Sequence, residues 1–253
     1  MSWRHSPIFF SFLFVFSSGA AERRDLSAGV VFPSTNSAVV ENPGSMNAVG
    51  SDKSMVDLTA YTDNDFNVTG GHGAYAKAKD YYAYGLVLTQ DNISGAFGVK
   101  IQSNFHVGLG LTYDWGDHRY WVPVGIWTAL ADGLKLGWMV SALPEFTSGA
   151  VGIAGSFGGG SVVELDMLYS RVSPTYSMNQ GFIQARPSFV FTAAKKFSFK
   201  AAYEFSIFPE FDLNRGYSEF GISYWVAKTL ALYVGYQDTW SGTYQIGIRS
   251  SSE

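Results

Sequence analysis

The sequence predicts an all-β fold: a transmembrane, outer-membrane-type antiparallel β-barrel of about 14 strands (about 12 is the alternative) around an N-terminal luminal plug. Three observations predict it. From residue 54 onward, apolar and small-or-polar residues alternate in segments of about ten residues, the length at which a tilted strand crosses a bilayer. Aromatic residues make up 17% of the chain and charged residues only 15%, against the roughly 25% charged of a soluble domain. The chain also opens with an export-like leader.

That leader is residues 1–21. Arg4 and His5 give a short basic start, Ile8 to Phe16 an apolar core interrupted only by Ser11, and Ser18-Gly19-Ala20-Ala21 a small-residue cleavage site. The apolar core is too short for the roughly 20 residues a membrane helix needs. Phe146 to Val163 is uncharged, but its six glycines argue against a helix at roughly 1 kcal/mol each. Gly158-Gly159-Gly160 reads instead as a tight turn.

Residues 22–53 do not alternate. They are rich in Ser, Asn, Ala and Val, contain Pro33 and Pro43, and are expected to fold into the lumen as a plug; a disordered periplasmic tail is the alternative. Residues 54–253 form the barrel. Its predicted strands are 54–62, 66–77, 81–90, 93–101, 105–115, 119–130, 134–143, 149–157, 160–170, 181–192, 197–207, 216–227, 229–238 and 243–250. The first two are blurred by Asn- and Gly-rich sequence across 63–73. Alternate connections (Lys77–Asp80, Gln102–Asn104, Ala131–Gly133, Ala193–Lys196, Lys228) are short, as periplasmic turns are, and the longest connections, Arg171–Gly181 and Phe208–Gly216, fall on the opposite end.

Aromatics map to the strand ends as two girdles. Tyr113, Trp115, Tyr120 and Tyr244 are expected at the outer rim, and Tyr81, Tyr82, Phe105, Phe197, Tyr224 and Trp225 at the inner one. With the apolar register facing lipid, the inward list is Lys100, His106, Lys135, Glu164, Asp166, Gln184, Arg186, Lys200, Glu204, Glu219, Gln245 and Arg249. Near-balance of charge predicts internal ion pairs or plug contacts, with Lys100, Lys135, Glu164, Arg186, Lys200, Glu204, Glu219 and Arg249 as candidates for a substrate path. Nine inward glycines, Gly85, Gly98, Gly108, Gly110, Gly125, Gly137, Gly221, Gly235 and Gly247, leave space in that lumen.

Several chemistries are excluded or unsupported. Without Arg4 the 16 remaining Lys and Arg face 21 Asp and Glu, a net charge of −5 that argues against nucleic acid. There are no cysteines, hence no disulfides and no thiolate metal site. His72, His106 and His118 have no metal-ligand spacing, and no nucleotide-binding glycine motif is present. Asp114, Asp117 and His118 fall on one outer connection; a solvated hairpin tip accounts for them, and neither catalysis nor a cofactor is expected. Acidic outer connections keep turns soluble, or share divalent cations with anionic headgroups such as lipopolysaccharide.

Just before the first strand, Ser37-Ala38-Val39-Val40-Glu41-Asn42-Pro43-Gly44-Ser45-Met46 resembles the hatch element of the FadL-type outer-membrane transporters. Asn42 and Pro43 match the family's Asn-Pro-Ala-Gly-like motif; Gly44 stands where Ala is usual and Ser45 where Gly is. The chain is shorter than typical members, mainly through smaller outer loops. The resemblance implies a hatch at Asn42, Pro43 and Gly44, a 14-strand barrel, and passive movement of small hydrophobic compounds such as fatty acids through a lateral opening. The expected protein is thus a monomeric transporter in the bacterial outer membrane, with lipid, lipopolysaccharide and a small hydrophobic ligand as partners. A non-transport barrel, structural or surface-interacting, is the alternative.

Overall fold

The structure, a computed structural model, describes residues 17–18, 23–24, 31, 35–40, 42–49, 53–116, 118–142, 146–158, 161–172, 181–193, 196–208, 211–238 and 243–252. A short helix α1 (Thr35–Val40) and a 3-10 helix (Pro43–Val49) precede fourteen barrel strands. These are β1 (Ser54–Thr62), β2 (Val68–Ala78), β3 (Tyr82–Thr89), β4 (Asn92–Gln102), β5 (Phe105–Asp114), β6 (Arg119–Ala131), β7 (Leu134–Ala142), β8 (Phe146–Phe157), β9 (Ser161–Val172), β10 (Gly181–Ala193), β11 (Phe197–Phe208), β12 (Asp212–Ala227), β13 (Leu230–Gln237) and β14 (Thr243–Ser251). The export segment expected over 1–21 lies outside the described residues, apart from Ser17–Ser18, which pairs with Arg23–Arg24.

Each strand pairs antiparallel with the next, and β14 pairs with β1, so the sheet closes with 14 strands rather than 12. Closure leaves no strand edge unpaired in hydrocarbon, the condition for a sheet to span a bilayer. Along β13, Leu232 and Val234 are exposed while Ala231, Tyr233 and Gly235 are buried, the period-two signature of a lipid face and a filled lumen. Short turns sit at the inner end. At one of them Gly133 takes φ 78°, a conformation open to glycine at no steric cost.

Strand ends moved where turn chemistry intervened. β2 begins at Val68 because Asp63 accepts the backbone N–H groups of Asp65 and Asn67, and Phe66 turns through φ 60°. That exposed turn holds the Asp63 carboxyl below the ordinary carboxylate range, chiefly through the Asn67 backbone N–H. β12 begins at Asp212, because the β11–β12 hairpin continues past an irregularity between Glu204 and Ser206, with Ser206 opposite Asp212. One girdle assignment is corrected. Tyr224 faces lipid, but Trp225 is 2% exposed inside the barrel, since consecutive strand residues point to opposite faces.

The lipid face carries its own prediction. Leu232 lies mid-strand and exposed, and Leu232→Arg should cost about 2–4 kcal/mol; Val68→Arg, at the outer end of β2, should cost about 0–1 kcal/mol. Urea midpoints for refolding into vesicles would measure both, and equal penalties would contradict the depth assignment.

Candidate functional site

The inner wall is divided between two chemistries. From β2 to β6 a band of it is small and apolar, with Asn92, Ser94, Thr112 and Asp114 toward the outer end and Lys100 and His106 toward the inner one. Ala78 stands opposite Ala83, Ala83 opposite Gly98, Gly98 opposite Gly108, and Gly108 opposite Gly125. This single row of Ala and Gly crosses five strands and leaves bare backbone facing the lumen. The turn Asn42-Pro43-Gly44 lies on it. A Cβ at Gly98 would come within 2.8 Å of the Pro43 carbonyl oxygen, one at Gly108 within 2.6 Å of the Gly44 nitrogen, and one at Gly44 within 2.6 Å of the Gly125 carbonyl oxygen. Asn42 is buried and donates from Nδ2 to the Ile126 carbonyl at 3.3 Å. Ser45 closes the turn, its N–H and hydroxyl both donating to the Asn42 carbonyl at 3.0 and 2.6 Å.

Beside that row, Ala38, Val39, Val40 and Met46 pack against Ala74, Ala76, Ala83 and Val87 of β2 and β3. Gly85 permits this approach, because a Cβ there would meet Val39. Farther upstream, Val31 bridges two distant strands. Its N–H donates to Glu164 of β9 at 2.7 Å, and its carbonyl accepts from the Trp127 indole of β6 at 3.0 Å. Trp127 stacks on His106 with centroids 4.8 Å apart, and the Lys135 ammonium lies 5.7 Å from the Trp127 ring centroid.

From β9 round to β2 the wall is polar. Arg186 pairs with Asp166 at 2.8 Å, Lys200 with Glu219 at 2.5 Å, and Gln184 donates to Glu204 at 2.7 Å. A second network joins the first and last strands. Arg249 pairs with Asp57 at 2.6 Å; Tyr233 donates to Asp57 at 3.0 Å and meets Thr59; Thr59 reaches His72, whose other ring nitrogen meets the Tyr61 hydroxyl at 2.5 Å. A buried pair with complementary hydrogen bonds stiffens its surroundings at the cost of dehydrating both charges.

Of the sequence-derived lumen residues, the geometry gathers Glu164, Arg186, Lys200, Glu204 and Glu219 on the inner wall of β9–β12. It sets Arg249 apart with Asp57, and Lys100 and Lys135 near His106 and Trp127. Asp57, Tyr233, His72 and Trp127 were missed. Asp57 alternates with Met55 and Thr59, which is an inward signal, but it lies in the strand that sequence defined least well. Among the described residues no group of three or more His, Cys, Asp or Glu could hold a metal.

Two strands carry a proline in mid-course. Between β5 and β6 the ladder pairs Leu109 with Val124 and Thr112 with Trp121, skipping Gly110 and Leu111 opposite Pro123 and Val122. Between β10 and β11 it skips Arg186 and Pro187. Proline has no N–H to give the ladder. The first seam is apolar and adjoins the glycine row; the second is backed by Arg186 and Glu204.

No family model matches the sequence, and no curated protein matches it. Solved structures share its fold. The toluene transporter TodX of Pseudomonas putida superposes with a TM-score of 0.60 at 12% identity, over 95% of this chain and 99% of that one. A FadL homologue of Pseudomonas aeruginosa gives 0.59 at 10% identity, over 95% and 96%. The Ralstonia pickettii toluene transporter TbuX gives 0.59 at 10% identity, over 85% and 91%. At these identities the likeness concerns the fold alone: the chain is a closed 14-strand β-barrel whose fold is similar to that of the FadL-type outer-membrane channels.

Proposed function

We propose that the protein is a passive channel for small hydrophobic compounds, with residues 22–53 as a hatch closing the lumen at rest. The observation that carries this reading is the Ala78–Ala83–Gly98–Gly108–Gly125 row under Asn42-Pro43-Gly44. At this row the turn rests on bare backbone, so it can lift from the wall there without unthreading side chains. Withdrawal of the turn uncovers the small-residue row and the Pro123 seam beside it. An uncharged molecule could leave there for the bilayer without dehydrating an ion. The charged half, where Arg186, Lys200 and Arg249 are each paired, serves as frame rather than path. Small aromatic hydrocarbons and fatty acids are the substrate classes in view; the small-residue row suits the first, and Lys100 and Lys135 near its inner end are the cations a fatty-acid carboxylate would meet.

A structural barrel is the second reading, favoured by the filled lumen and its ion pairs. Conductance separates the two. In planar bilayers the intact protein should be nearly closed. Deletion of 22–53 should yield a stable open pore, and Pro43→Ala intermittent openings. A deletion that folds and stays closed would sink the hatch.

A further inference from the structure

The lipid face is uneven at its inner end. On most described strands that end is apolar, as at Ile101, Phe157, Phe191 and Phe197. The corner formed by β2, β3 and their turn differs. Tyr75 and Lys77 face outward, since Ala74, Ala76 and Ala78 face the lumen. Lys77 stands directly opposite Tyr84. The Tyr84 ring lies 6.2 Å from that of Tyr75 and 6.4 Å from that of Tyr82. The turn adds Lys79, Asp80 and Tyr81, with Tyr81 75% exposed. Among the described residues of β2, β3 and their turn, this margin gathers the phenols of Tyr75, Tyr81, Tyr82 and Tyr84 and the ammonium groups of Lys77 and Lys79 beside the carboxylate of Asp80.

This is more than an aromatic girdle. A phenylalanine ring anchors at the interface by area alone, whereas a phenol also donates a hydrogen bond. A lysine on a strand can lay its stem along apolar surface and carry its ammonium to headgroup level. The opposite rim has the reverse sign, with exposed Asp65, Asp91 and Asp238. The positive corner lies at the short-turn end, which in barrels of this kind is the periplasmic one, beside the phospholipid of the inner leaflet.

We propose that this corner binds the phosphate-bearing headgroup of an anionic phospholipid of the inner leaflet. Lys77 and Lys79 supply the charge, and Tyr81, Tyr82 and Tyr84 the hydroxyl donors to phosphate oxygens. The lipid orients the barrel in the bilayer and seals the wall at β2–β3, beneath which α1 packs.

The test is native mass spectrometry of the full chain released from nanodiscs of equal phosphatidylglycerol and phosphatidylcholine. Variants are first confirmed as folded by heat-modifiable gel migration. The intact protein should retain phosphatidylglycerol preferentially. Lys77→Gln and Lys79→Gln should each lower that preference about fivefold, and Tyr84→Phe should lower it with no change of charge. Lys228→Gln, in a distant inner turn, should leave it unchanged. Equal retention of the two lipids by the intact protein would overturn the proposal. So would a loss in Lys228→Gln matching that in Lys77→Gln, or full displacement of the lipid by inorganic phosphate, which would mark a free-anion site.

Discussion

Asp57→Ala should destabilise the barrel by about 3–5 kcal/mol, the penalty for leaving a buried charge without its partner. Asp57 and Arg249 are both 0% exposed and stand opposite each other where the last strand closes on the first. Removing the carboxylate strands the guanidinium and takes an acceptor from both Tyr233 and Thr59. Joint replacement, Asp57→Leu with Arg249→Met, should recover most of the loss, since apolar residues of similar volume replace a buried pair at little cost. Urea unfolding midpoints of the three variants in lipid vesicles decide the matter. A loss below about 1 kcal/mol for Asp57→Ala is what a solvated pair would give, and would mean the lumen there is wet.

Gly108→Ala should open the channel while leaving the barrel folded. The added methyl would strike the Pro43 carbonyl group and the Gly44 nitrogen, which are backbone and cannot rotate aside. Overpacking of this kind typically costs about 1–3 kcal/mol. Here it falls on the contact between segment and wall, not on the strand ladder, so the expected readout is raised single-channel conductance with unchanged heat-modifiable migration. Gly95→Ala is the control: it sits on the neighbouring strand β4, and an added Cβ meets nothing within 4 Å. Equal effects from the two substitutions would remove the glycine row from the gating account.

Most of the barrel was legible because period-two alternation is a property of consecutive residues. Leu134 to Ser141 shows which side chain faces lipid without knowledge of any neighbouring strand. The inward placement of Lys200, Glu204 and Arg249 followed in the same way. What stayed hidden depends on register. Gly98, Gly108 and Gly125 each read as inward, but their alignment into one row is set by the stagger between strands, which no single strand reveals. The Asp57–Arg249 pair joins residues 192 positions apart and exists only because β14 closes on β1. Trp225 was a different failure: its alternation with Tyr224 already placed it inside, and its aromatic character was given too much weight. Pro123 and Pro187 were visible within predicted strands, yet only the ladder shows which seam each one interrupts.

The central claim is that small apolar compounds cross this barrel when the turn at Asn42–Gly44 leaves the glycine row. Its most direct measurement is uptake of a radiolabelled small aromatic hydrocarbon by cells carrying the intact protein, Gly108→Ala, or no barrel. The account predicts saturable uptake by the intact protein above the barrel-free cells, and faster uptake by Gly108→Ala. Uptake by both folded proteins no faster than by the barrel-free cells would contradict it and leave a structural barrel in its place.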